Sequence, residues 1–272
     1  MSYSPMELAE AFLKTGELDD ALDAINQQLE QAADDDEARR LLIQIQMRLL
    51  PQQELSKTLA EFDKLTELSA TDWQTKSIIF EQIGELANAI SAIQSARQHA
   101  PHDERLSERL LDLFLRDEKY EAALNLVRSQ EKSWRWLERE GDVLVLLGND
   151  ILATARYGLV LAHLEGFEGT MRDDYLQALK VRVILARAHA YRRLEHLDTA
   201  KELYLVAESI LGDDVSIQFN LGLISEMGGD SDEAVKICSQ ALSRASQGLK
   251  TEMIAALDED LRFLSLKQAL SV

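Results

Sequence analysis

ATDWQTKSIIFEQIGELANAISAIQSARQHAPHD, residues 70–103, reads as two helical runs joined at Gly84 and closed by Pro101. Ala89, Ile93 and Ala96 recur at helical spacing and share one face of the second run. Gly84 suits a left-handed helix end, where the absence of Cβ removes the steric cost. Ala89 stands five residues later, and the same offset recurs as Gly16/Ala21, Gly148/Ala153 and Gly229/Ala234. Ala123 and Ala200 are matching anchors without the glycine. Ala21 to Ala89 is 68 residues, Ala89 to Ala123 is 34, and Ala200 to Ala234 is 34. A fixed period of this length marks stacked helix pairs, with a small residue wherever two helices approach closely.

Working outward, the first unit offers Leu8, Ala11 and Phe12 on one helical face, Gly16 at the turn, then Asp19 and Asp20 at the positive start of the next helix. The fourth unit has Leu111, Phe114, Tyr120, Ala123 and Val127, with Glu118 in place of the glycine. The seventh has Leu221-Gly222, Gly229-Asp230, Ala234, Cys238 and Ala241. This pattern resembles the tetratricopeptide repeat. The resemblance implies an all-α, right-handed superhelical solenoid of about seven helix pairs plus a C-terminal capping helix. It implies one domain over 1–272, with units at about 2–35, 36–69, 70–103, 104–133, 134–172, 173–214 and 215–248 and the cap at 249–271.

Three departures are readable. The second unit has Leu55 at the alanine slot, Pro51 in its turn and Phe62 at a later small position. Ala123 to Ala153 is only 30 residues, whereas Ala153 to Ala200 is 47. The excess contains Gly166 and Gly169, which predicts the widest break between helices at 165–173. A long helix is then expected from Asp173 to about Arg193.

The net charge of −19 argues against general nucleic-acid binding and against anionic membranes. A single cysteine, Cys238, excludes an internal disulfide and reads as a small core residue. Residues 1–10 show no signal peptide, and the longest apolar run, Val143 to Leu147, is too short to span a bilayer, so a cytoplasmic location is expected.

No nucleotide loop, nucleophile elbow or zinc pattern is present, and neither a catalytic residue nor a cofactor is expected. His99 and His102 flank Pro101 with too few neighbouring ligands for a metal site. His189 and His196, seven apart, could face alike on a helix as ordinary surface or groove histidines. Trp134 and Trp136 flank Arg135 at the shortened unit, and read either as core repair or as an aromatic anchor for a partner.

Of 18 arginines, 12 fall in residues 101–200. In the resembled family the first helix of each pair lines the groove. This places Arg105, Arg109, Arg116, Arg135, Arg139, Arg182, Arg192 and Arg193 there, with Trp134 and Trp136. Two readings stay open: a basic groove for an acidic peptide or carboxylate, or ion pairs with Glu108, Asp112, Glu138 and Asp142. The Lys and Asn pattern with which some family members grip a carboxylate is largely missing; only Asn220 occupies such a slot. The implied function is a non-catalytic protein-interaction scaffold, adaptor or assembly chaperone holding a peptide or helix of a protein partner. The second reading is self-association into a homodimer, through Tyr3, Met6 and Leu8 or through the cap.

Overall fold

The computed structural model describes residues 3–272, and among them every regular element is helical. They form two compact units, one ending at Ala123 and one running Leu124–Val272.

Unit 1 begins with α1 (Pro5–Thr15) and α2 (Leu18–Gln31), followed by α3 (Asp36–Leu49) and α4 (Ser56–Phe62). Then come α5 (Ala70–Gln82), α6 (Leu86–His99) and α7 (Glu104–Arg116), while α8 (Tyr120–Arg128) starts in unit 1 and ends in unit 2. Ser4 caps α1 in a reciprocal box with Glu7, with Pro5 at the first helical position. Ser69 and Asp72 repeat the box at α5. Both satisfy backbone N–H groups that a helix start leaves open.

Unit 2 continues with α9 (Trp134–Leu146) and α10 (Asp150–Glu165), then α11 (Asp173–Arg193) and α12 (Leu197–Leu211). The last elements are α13 (Val215–Met227), α14 (Ser231–Arg244), α15 (Gln247–Asp258) and α16 (Leu264–Leu270), with a 3-10 turn at Leu261–Phe263. The segment read as one capping helix is thus two. The break is chemical: the Asp260 carboxylate accepts the Arg262 backbone N–H and caps the tight turn.

The turns inside the pairs share one geometry. Gly16, Gly84, Gly148 and Gly229 are left-handed, and so are Glu118 (φ 54°) and Glu195 (φ 61°) at the two turns without glycine. The following residue donates its N–H to the carbonyl five positions back in all six, for example Glu17 to Phe12 and His196 to Tyr191, both at 3.0 Å. This bond closes each helix end, so it is the closure and not the glycine that the period marks. Ala21, Ala89, Ala123, Ala153, Ala200 and Ala234 are all fully inaccessible, and Leu55 is buried in the corresponding place. The Ser77 hydroxyl donates to the Ala89 carbonyl at 2.9 Å, fastening α5 to α6.

The long helix runs as expected over Asp173–Arg193. The break before it, 166–172, is no wider than the one at 63–69, because its glycines fold into consecutive hydrogen-bonded turns. Most of the surplus lies in α11 itself, whose 21 residues compare with the 13 of α7.

Candidate functional site

The arginines singled out by position separate into distinct environments. In unit 1, Arg109 and Arg116 both reach back from α7 to Glu81 on α5, a carboxylate with 9% side-chain exposure. Arg105 is exposed, and its guanidinium has no partner among the described residues. In the same unit Arg40 on α3 grips Asp72 on α5 at 3.0 Å. Burial pushes the Asp72 carboxyl upward, but bonds from Arg40 and Ser69 outweigh it and hold the group below the usual range.

In unit 2, Arg182 on α11 makes a two-pronged bridge to Glu138 on α9, each prong 2.7 Å. Arg193, at the end of α11, holds Asp150 at the start of α10 with contacts of 2.5–3.0 Å. Arg139 pairs with Asp142 at 3.8 Å on its own helix. Arg135 is exposed, its guanidinium 5.4 Å from the Trp134 ring centre. Trp134 is half-buried and Trp136 is 5% exposed, so only the former reaches the surface to any extent. Beside Trp136, Glu140 takes Arg156 at 2.6 Å and Arg128 at 2.9 Å. These two guanidinium groups overcome burial and keep the Glu140 carboxyl low.

Arg192 differs from the rest. It lines a cleft of about 230 Å³ in unit 2, whose walls are successive first helices. α11 contributes His189 and Arg192, α13 contributes Ser216, Phe219, Asn220 and Leu223, and α15 contributes Leu249, Glu252, Met253 and Ala256. Phe219, Leu223 and Met253 are buried and form an apolar floor. The Arg192 guanidinium lies 5.7 Å from the Phe263 ring centre, and its buried Nε has no acceptor. No carboxylate forms an ion pair with it among the described residues. Asp260, which feels its charge, is already engaged by Arg262 at 2.6 Å.

One side of the cleft is fixed by a polar chain. The Tyr204 hydroxyl lies 2.7 Å from His189 Nδ1 and 3.3 Å from Asn220 Oδ1, while Asn220 Nδ2 donates to the Ser216 carbonyl at 2.8 Å. Asn220 is oriented by its bond to that carbonyl, so its oxygen faces Tyr204. The assignment that uses every proton once has His189 Nδ1–H donating to Tyr204, and Tyr204 donating to Asn220. Imidazole Nε2 is then a bare acceptor. Burial, reinforced by Arg192 and Arg193, lowers the His189 pKa to about 4 and keeps the ring neutral. Burial raises the Tyr204 hydroxyl to about 12, against the pull of the same arginines.

His189 and His196 do not share a helix. α11 ends at Arg193, and His196 precedes the first residue of α12 and stacks on Tyr191 at 5.9 Å. His99 bonds the Ser95 carbonyl at 2.9 Å. Among the described residues no group of three or more His, Cys, Asp or Glu side chains could hold a metal ion, and no helix is long and apolar enough to cross a membrane. Sequence reading missed Glu81, Glu140 and Tyr204. Each acts on a residue at least 12 positions away, and no local pattern announces that.

The family model for the tetratricopeptide repeat matches residues 185–248, the stretch that supplies His189, Arg192 and the α13 wall. No curated protein matches the chain. Among solved structures, the chain is similar to a chain of Naa15/Naa10 bound to HypK-THB, at 14% identity and a TM-score of 0.58. That likeness covers 94% of this chain but 41% of the other, so the present chain spans less than half of that relative. The C-terminal part of a repeat-containing protein from Cytophaga hutchinsonii is 15% identical, with a TM-score of 0.57 and 97% of both chains covered. The pilF protein of Pseudomonas aeruginosa is 16% identical, with a TM-score of 0.52, covering 86% of this chain and 98% of its own. At these identities the likeness is one of fold.

Proposed function

We propose that this chain is a tetratricopeptide-repeat protein, as its fold and the family match over residues 185–248 support, and that it is a non-catalytic scaffold whose unit 2 cleft holds a segment of a protein partner. The observation that carries this reading is the cleft itself. Three helices of different pairs present one apolar floor beside two charged side chains, Arg192 and Glu252, that form no ion pair among the described residues. Such a floor provides burial, and the charged groups provide orientation. The remaining groove arginines contribute differently. Arg109, Arg116, Arg182 and Arg193 are bonded to carboxylates of neighbouring helices, so their first role is to fasten helices together. An adaptor or assembly chaperone fits this arrangement, and Naa15/Naa10 bound to HypK-THB has the same fold inside an assembly. We place the protein in the cytoplasm, where a lone buried thiol such as Cys238 stays reduced.

The test is affinity capture with the whole chain and two variants. Ala256→Trp fills the cleft, and Ser209→Trp adds the same bulk to an exposed position on α12. A partner recovered by the parent and by Ser209→Trp, but lost with Ala256→Trp at an unchanged melting temperature, supports the reading. An identical set of partners from all three overturns it.

Self-association is a second reading, favoured by one observation. The outer face of α10 exposes Ile151 (69%), Leu159 (45%) and Leu152 (38%) on one helix of a chain that is otherwise strongly acidic. Light scattering across a concentration series decides it: a mass that stays at one chain removes this reading.

A further inference from the structure

Arg192 and Glu252 line the unit 2 cleft from two different helices, α11 and α15, together with the apolar Phe219, Leu223 and Met253. Neither has an ion-pair partner among the described residues. The other polar groups of the cleft add no charge: His189 is neutral, and Asn220 is spent on Tyr204 and the Ser216 carbonyl. The charge of the cleft therefore comes from one cation and one anion, which share it with an apolar floor.

Resting on the scaffold reading above, we propose that the cleft selects an internal peptide segment with an apolar side chain between an acidic and a basic one. The acidic side chain meets Arg192, the apolar one lies on the Phe219–Leu223–Met253 floor, and the basic one meets Glu252. A segment with two like charges brings one repulsive contact, and a segment without the apolar residue leaves the floor wet. Charge arranged this way discriminates between partners more than it adds to total affinity.

The experiment titrates the full chain with capped, amidated pentapeptides, followed by amide NMR shifts up to millimolar concentration. The probes are Gly-Asp-Leu-Lys-Gly, Gly-Asp-Leu-Asp-Gly, Gly-Lys-Leu-Lys-Gly and Gly-Asp-Gly-Lys-Gly. The parent should bind the first about tenfold more tightly than each of the others, with shifts confined to α11, α13 and α15. Glu252→Lys changes an exposed side chain that has no partner to lose, so it leaves the fold intact. It should move the preference to the Asp-Leu-Asp probe. Arg192→Glu, checked by its melt, should move it to Lys-Leu-Lys. An unchanged ranking in Glu252→Lys overturns the proposal, as does the absence of any binding to the parent. Tighter binding of a peptide ending in a free leucine carboxylate would assign Arg192 to a chain terminus and overturn the internal segment. If these rankings fail while Ala256→Trp still loses its partner, the scaffold reading stands and the charge signature alone is lost.

Discussion

A β-carbon added to Gly222 would sit 2.5 Å from the Cys238 sulfur, so α13 and α14 touch where one residue has no side chain and the other has a thiol. The thiol is fully buried, and burial raises its pKa to about 12. Gly222→Ala should cost about 1–3 kcal/mol by overpacking. Adding Cys238→Ala should recover at least half of that loss, because the new methyl then occupies the space of the sulfur. A double-mutant cycle by urea unfolding measures this; additive effects would mean the helices do not meet here.

His189 predicts a specific pH dependence. Its pKa is lowered from 6.5 to about 4, so the unfolded chain takes up a proton that the folded chain refuses. The stabilisation is complete above pH 6.5 and is lost as pH falls through the window down to about 4. It amounts to on the order of 3 kcal/mol. His189→Gln should flatten the fall in urea midpoint between those two values. An equally steep fall in the variant would assign the loss to other groups.

Glu118 and Glu195 occupy left-handed turns that glycine fills elsewhere. Glu118→Gly should raise stability by about 0.5–1 kcal/mol, since relief of strain exceeds the added freedom of the unfolded chain. Glu195→Gly should gain less, because it also removes a 2.7 Å contact with Arg262. Paired thermal melts give the order; a destabilised Glu118→Gly would show that the turn carries no strain.

Arginines on the first helices of unit 2 should separate by partner. Arg182→Ala should cost about 1–2 kcal/mol, because Glu138, with 12% side-chain exposure, then keeps a charge without its two-pronged donor. Arg135→Ala, which loses only an exposed contact with Trp134, should cost less than about 0.5 kcal/mol. Equal costs in chemical denaturation would argue against the bridge.

The fold was legible because its determinants are local and repeated. Five residues separate each turn from its alanine, and both ends of that relation lie in one stretch of chain. The arginine partners were not legible. Arg182 meets Glu138 from 44 positions away and Arg193 meets Asp150 from 43, at distances set by how one pair seats on the next. Glu108 and Asp112, the nearest candidates in sequence to Arg109, are not its partners, because a helix turns them away from Glu81 on α5. Arg192 lies in the last turn of α11. Its lack of a carboxylate follows from Asp260 being captured by Arg262, in a turn the sequence reading had made continuous helix.

Helix α11 is bonded at two places to the surroundings of α10: Lys180, two turns into α11, meets Glu168 just beyond the last turn of α10, and Arg193, the last residue of α11, meets Asp150 in the first turn of α10. It also packs on α12. Its 21 residues make a rod of roughly 31 Å that two pairs hold in common. Opening either pair means releasing that rod, so α9–α10 and α11–α12 have no separate melting of their own. In native-state hydrogen exchange the amides of α10, α11 and α12 should share one opening free energy. Repeat arrays ordinarily fray unit by unit from their ends; here the fraying front arriving from α16 would halt at α12 and next give way by two units at once.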